Sequence, residues 1–199
     1  MVVRGSTILV GLAVLLAGCT WSTAPPELGE YLDESTAMTV VHLAEPAIYY
    51  QEAPTLAAHA RDYVSLALLE LSQAGQRHYL LWVWCWSTID RPVQPGSSES
   101  RIVLFVDDEP MELRTSRPPS LGRWPHAPPV NGGEMAFFAL TRNQVERVGR
   151  ARHTSVYVEG GPAAGDYLPW TDARAGMSAF GRRVDARGRQ TSTVASFDD

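Results

Sequence analysis

The stretch His78-Tyr-Leu-Leu-Trp-Val-Trp-Cys-Trp-Ser-Thr-Ile89 decides the fold. Its density of aromatic and β-branched side chains marks a strand, because such side chains suit a packed, pleated surface. Successive side chains on a strand point to opposite faces. Leu80, Trp82, Trp84 and Trp86 therefore share one face, and Tyr79, Leu81, Val83 and Cys85 share the other. Both sets are apolar. Such a strand sits centrally with both faces covered, or it offers one face as a binding surface.

The neighbouring segments supply its partners. Asp62 to Leu71 reads as a preceding strand, joined to the first through the hairpin loop Gln73-Ala-Gly-Gln-Arg77. Residues 55–72 also carry a helix pattern, with Thr55 as a cap and Gly75 as an end signal, so helix and strand compete there. The preferred reading is a strand from about residue 62 after a short turn or helix. Thr39 to Leu43 alternates like a strand, and Pro46 makes it an edge strand or a bulge, with Ala47 to Gln51 continuing it. Arg91 to Ser100 is a Pro/Gly/Ser loop. Arg101 to Val106, the turn Asp107-Asp-Glu-Pro110 and Met111 to Leu113 form a hairpin. Arg114 to Gly133 holds five prolines and Trp124, and reads as a long loop packed on the sheet.

Met135 to Leu140 is a further strand. Thr141-x-x-Gln144 is a capping box, and Leu140 and Val145 occupy the positions of a hydrophobic staple. The helix that follows spans about Arg142 to Ala151, with Val145 and Val148 on its inner stripe. Thr154 to Glu159 is another strand, closed by Gly160-Gly161, and Asp166 to Trp170 adds a final edge. From Thr171 onward the chain is rich in Arg, Gly, Ser and Asp, a composition that predicts disorder. Strands, then one helix, then a strand define a mainly β fold. The expected architecture is an antiparallel β-sandwich or curled sheet with one short helix packed at an edge.

The first residues carry a different signal. Arg4 precedes the apolar run Ile8 to Leu16, which is of export-signal length and too short to span a bilayer as a helix. It ends in Leu16-Ala17-Gly18-Cys19, which resembles the lipobox of bacterial lipoproteins. That resemblance implies removal of residues 1–18 and acylation of Cys19 through its sulfur and its new amine. Several acyl chains hold a protein firmly to a membrane where one does not. Thr20, rather than Asp, follows the cysteine, which implies the outer membrane, facing the periplasm. The expected organisation is a signal peptide at 1–18, a lipidated tether at 19–37, a β-rich domain at 38–170 and a disordered tail at 171–199. Trp86-Ser-Thr-Ile-Asp-Arg91, Asp108-Glu-Pro-Met-Glu-Leu113 and the strand–capped helix–strand of Met135 to Glu159 are similar to uncharacterised proteobacterial lipoproteins. The similarity supports a β-rich domain and brings no activity with it.

Composition narrows the function. The formal net charge is −5, and loss of Arg4 makes the mature chain one unit more negative. Nucleic-acid binding needs a basic surface, so none is expected. Every basic residue is Arg, which removes lysine chemistry and the Walker-type phosphate loop. There is no G-x-S-x-G, H-x-x-x-H or C-x-x-C, so no catalytic residue, metal ligand or cofactor is assigned. The acidic run Asp107, Asp108, Glu109 and Glu112 lacks calcium-loop spacing and reads as solvated turn residues. Cys85 reads as a buried hydrophobe, His42, His59, His78, His126 and His153 as surface or edge residues, and Arg142, Arg147 and Arg150 against Glu146 as a solvent face. What remains is a non-enzymatic role: binding or assembly of an envelope protein partner near the membrane. Trp82, Trp84, Trp86 and Trp124 are the candidate contact surface, and a glycan or small ligand on the same aromatics is the alternative.

Overall fold

The computed structural model describes residues 27–53, 55, 57–89, 101–127, 130 and 133–194, without the side chains of 188–194. The signal, the lipobox with Cys19 and the loop from Arg91 to Ser100 lie outside them. The fold is mainly β, as expected: an antiparallel sheet curled into a half-barrel, with two helices.

The organising unit is the hairpin of β4 (Arg61–Gln73) and β5 (Gln76–Ser87), paired along their whole length from Asp62 opposite Ser87 to Gln73 opposite Gln76. Its two-residue turn uses Ala74 and Gly75, both at positive φ, the geometry that matches the natural strand twist. The competing helix over 55–72 is thus displaced by strand from Arg61, preceded by a turn closed by Ala60 N–H donating to the Ala57 carbonyl. On its other side β4 meets two strands in succession. β2 (Met38–Leu43) pairs with its second half and β3 (Ala47–Glu52) with its first. The break between β2 and β3 contains Pro46, which has no N–H to give to a ladder. β1 (Leu28–Asp33) pairs with β2.

β5 continues into β9 (Glu134–Leu140) and then β8 (Arg114–Ser116). At the far end, β6 (Arg101–Val106) and β7 (Glu109–Met111) form a hairpin where one was expected, but its turn is the two residues Asp107 and Asp108 rather than Asp107 to Pro110, so the second strand starts earlier than Met111. β6 pairs with β10 (Thr154–Glu159), which leads through β11 (Gly165–Pro169) back to β3. β11 is therefore an interior strand rather than the edge its position near the end of the expected domain suggested.

The two faces of β5 are both covered, one reading its sequence allowed. On the inner side, Leu81, Val83 and Cys85 join Val41, Leu66, Leu68, Leu104, Val156 and Phe138 in the main core. α1 (Arg142–Arg150) and α2 (Arg174–Val194) close this core with Val145, Val148, Met177, Phe180 and Val184. The capping box of α1 forms as its sequence specified: Thr141 accepts from Gln144 N–H, and the Gln144 side chain accepts from Thr141 N–H at 2.7 Å. On the outer side, Leu80, Trp82 and Trp84 pack with Val40, Ala67, Leu69 and Phe137 under Leu121 and Trp124 of the segment after β8.

Two sequence expectations are corrected. Residues 171–199 were expected to be a disordered tail, yet α2 occupies Arg174–Val194 and supplies Phe180, which is fully buried. The stretch 19–37 was expected to be a tether, yet its end is β1, with Asp33 buried in the fold. The ordered unit thus begins before residue 38 and runs past 170. α2 crosses α1 at glycine on glycine: a Cβ on Gly149 would stand 2.6 Å from the Gly181 Cα, so neither site tolerates a side chain at this distance.

Phe180→Ala is expected to destabilise the protein by about 3–5 kcal/mol, the range for emptying an aromatic site in a core. Urea unfolding followed by circular dichroism checks this. An unchanged midpoint would return residues 171–199 to the status of a tail.

Candidate functional site

The outer face of the β4–β5 hairpin carries the candidate site. Register sets its shape. Trp84 stands opposite Ser65, and Trp82 opposite Ala67, so two indoles face two small side chains across the hairpin. Ser65 in turn lies opposite Ile48 on β3. Small residues beside large ones on one sheet face leave a hollow unless a covering segment fills it.

The cover is the irregular segment after β8, and β1 and the turn after it hold it down. The Asp33 carboxylate accepts from Gly122 N–H at 3.0 Å and from the hydroxyls of Ser35 and Thr36. These bonds, Thr36 foremost, hold its carboxyl below the usual carboxylate range. Tyr31 donates its hydroxyl to the Arg123 carbonyl, and the Arg123 guanidinium lies over the Tyr31 ring. Trp124 then packs on Trp82 and Phe137 with ring centroids 5.2 and 5.4 Å away. His126 lies 5.8 Å from Trp82 and edge-on to His42 at 5.1 Å. Burial, and then the neighbouring His42, push the His126 pKa down to about 4, so the ring is neutral near pH 7. Burial lowers His42 as well. The expectation that these two histidines sit at the surface is corrected: both are half-buried beneath or within the cover.

Between cover and sheet lies a cleft of about 350 Å³. Trp82, Trp84 and Trp86 form one wall with Ser65, Ala67 and Ile48, while Pro46, Pro125, His126 and Ala127 close the other side. Trp82 and Trp84 are 3% and 5% exposed, so of the two readings the sequence allowed, a covered face and an open binding face, the covered one holds for these two tryptophans. Trp124 belongs to the roof rather than to a surface. Trp86 is half-buried at the margin, stacked on Tyr63 at 5.1 Å with rings 9° from parallel. Trp82 Nε1, Trp84 Nε1 and His126 Nε2 are buried without a hydrogen-bond partner among the described residues. Buried indole N–H groups ordinarily find a partner; none of these three atoms has appreciable accessible surface, so none opens into the cleft. Trp84 Nε1 lies against Gly133, where a Cβ would stand 2.6 Å from it.

An aromatic surface adjoins the cleft. Leu168, Tyr50, Tyr63 and Trp86 form one row across β11, β3, β4 and β5. Trp170 packs edge-on to Tyr50 and Tyr63, and Arg61 lies 5.5 Å from the Tyr50 and Trp170 ring centres. Leu168 and Trp170 are more than half exposed. The sequence reading passed over this row and over Ser65 and Ala67. The two-residue turn at Ala74-Gly75 was the signal that could have found them, because it dictates which β4 residue faces each tryptophan.

The other chemistry-bearing residues have structural work. Asp107 accepts from the N–H groups of Arg152 and His153, and Asp108 bonds His153 at 2.8 Å, so the acidic turn clamps the start of β10. Arg142 and Arg150 pair with Glu146, and Arg147 with Glu109. Burial drives the Cys85 thiol far up, away from the thiolate that reacts. Glu70 is fully buried and is held by Arg187 at 2.6 Å and Arg77 at 3.8 Å. No group of three metal-binding side chains occurs among the described residues. Compared with known proteins, the chain matches no family model, no curated protein sequence and no solved structure.

Two outcomes are expected from these charges. Arg187→Met should cost about 3 kcal/mol, because it leaves the buried Glu70 carboxylate with the longer Arg77 contact in place of its close ion pair, whereas Glu70→Gln should cost much less because Arg187 can reach water. Urea midpoints of the two variants check the asymmetry. The second outcome concerns pH. His126 is depressed when folded, so its contribution is full above its unfolded pKa near 6.5 and is lost as pH falls toward 4. Beside it stands His42, which adjoins Tyr31 and Arg123 and acts in the same direction. Stability should fall by on the order of 2 kcal/mol over that window. Tryptophan emission should shift to the red as the cover loosens, and His126→Gln should flatten both changes.

Proposed function

We propose that this protein is a non-enzymatic binding protein of the cell envelope that holds a small, ring-shaped ligand in the cleft of Trp82, Trp84 and Trp86. One observation carries the reading: a cleft of about 350 Å³ walled by three tryptophans, with Ser65 and His126 in its lining. Ligand sites are concave, mostly apolar and supplied with a few placed polar groups, and this volume lies at the small end of their range. Among the described residues that line it there is no carboxylate, no guanidinium and no nucleophile beyond Ser65, which fits retention rather than reaction. Leu16-Ala17-Gly18-Cys19 supports the location: Cys19 carries the lipid, and the domain faces the periplasm from the outer membrane.

A second reading, a protein partner, rests on the exposed Leu168 and Trp170 beside Tyr50, Tyr63 and Arg61. Aromatic and arginine anchors of this kind dominate protein interfaces.

Cys19→Ala should move the protein from the membrane pellet to the soluble fraction and abolish incorporation of labelled palmitate. Retention in the pellet would remove the anchor from the reading. For the cleft, Ala67→Leu places a larger side chain against Trp82 and should abolish thermal stabilisation by any compound selected on the native chain. In-cell crosslinking that captures one envelope protein, and loses it in Trp170→Ala but not in Ala67→Leu, would instead establish the partner reading.

A further inference from the structure

A short link between anchor and domain restricts which side of the domain meets the membrane, and this inference rests on the acylation of Cys19 proposed above. Thr20 to Pro26 alone separate Cys19 from Glu27. A fully extended chain covers at most about 3.5 Å per residue, so Glu27 stays within roughly 28 Å of the anchor. A folded unit of this length is roughly 40 Å across. The link is shorter than the domain is wide, so the surface around Glu27 is held closest to the bilayer.

Contacts trace that surface. The Glu27 carbonyl accepts from Ala44 N–H, just before β3, and its carboxylate lies 3.6 Å from Arg182 on α2. Glu27 also lines one groove with Asp172 and Arg174, where α2 begins. Immediately before them, Trp170 N–H donates to the Ile48 carbonyl on β3 at 2.7 Å. The start of β1, the end of β11 and the start of α2 therefore meet on one side of the domain.

Apolar side chains stand in water there. Leu168 and Trp170 are 58% and 53% exposed and lie on the same side of Tyr50, one opposite it in the ladder and the other edge-on to its ring. A bilayer interface relieves that exposure, and tryptophan favours it because its ring is apolar while its N–H stays wet. The charges beside them are balanced. Arg61 lies 5.5 Å from the Trp170 ring centre and 3.6 Å from Glu52, and Arg174 pairs with Asp172. A rim of this kind suits zwitterionic headgroups, whereas an anionic surface calls for unpaired cations. Two apolar side chains hold a membrane weakly from solution, but a lipid anchor makes their contact intramolecular, and a weak patch then suffices. We propose that Leu168 and Trp170 rest in the headgroup region of the bilayer that holds Cys19, so that the domain lies on the membrane in one fixed orientation.

The test uses the full chain with its acyl groups, verified by mass spectrometry, in phosphatidylcholine vesicles. Cys85 is buried and Cys19 carries lipid, so Leu168→Cys supplies the reactive thiol for an environment-sensitive fluorophore. Gln76→Cys, at the far end of the β4–β5 hairpin from Arg61, is the control. The label at position 168 is expected to shift to the blue and to be quenched by nitroxide-bearing lipid, with no dependence on salt. The label at position 76 should stay in water. Trp170→Ala, added to Leu168→Cys and shown to fold by its urea midpoint, should return the first label to water. An acylated protein whose label at position 168 is quenched no more than the control overturns the proposed face and leaves the anchor standing. A blue shift without quenching by lipid assigns the face to a second copy of the chain and also overturns the lipid contact. Absence of acyl groups on Cys19 overturns the anchor and this inference together.

Discussion

The structure depends on one constraint: β5 is apolar on both faces and must be covered twice. A strand with a single apolar face is satisfied by one layer, and its other face can meet water. Here Leu81, Val83 and Cys85 require one cover, and Leu80, Trp82 and Trp84 another. Two layers of different kinds meet the demand. Within the curl of the sheet, α1 and α2 bring regular ridges of Val145, Val148, Met177, Phe180 and Val184. The glycine contact at Gly149 and Gly181 lets the two helices approach closely enough to act as one plug. On the outer face no helix is available, and a proline-rich segment takes its place.

That difference in cover explains where the cleft lies. A helix presents side chains at regular intervals and interdigitates with a sheet. A segment with Pro118, Pro119 and Pro125 cannot form a helix and contributes isolated anchors instead. Leu121 and Trp124 fill the hollow over Leu80 and Phe137, while the space over Ser65 and Ala67 stays open. The cover also depends on sparse polar ties. Asp33 and Tyr31 hold Gly122 and Arg123, so β1 is as much a clasp for this segment as an edge of the sheet. The cleft is thus bounded by a dense hairpin on one side and a tied loop on the other.

The central elements were legible because each carried its own local signal. The β4–β5 hairpin, the β6–β7 hairpin and the capped α1 all follow from alternation, turn residues or a capping box within one short window. α2 was hidden by the residues that make it work. Its apolar stripe of Met177, Phe180 and Val184 is interrupted by Gly176 and Gly181, which lower helix propensity. Yet Gly181 is the contact with Gly149, and Arg183 and Arg187 pair with Glu30 and Glu70. β1 was hidden in the same way. Gly29 weakens it as a strand in isolation, but its cross-strand neighbour His42 lays its ring where a Cβ would be, 2.3 Å from His42 Nε2. Tertiary contacts chose these glycines, and propensity reads them as breaks.

The tryptophans show how far a sequence pattern reaches. Their shared face follows from alternation alone, but whether that face is open, packed or hollow depends on a segment about forty residues away. The structure gives an intermediate answer: the indoles are buried, and the space beside them is not filled. The open space and the buried polar atoms are separate facts: the cleft lies beside Ser65 and Ala67, whereas Trp82 Nε1 and His126 Nε2 have almost no accessible surface and are enclosed by the rings packed around them.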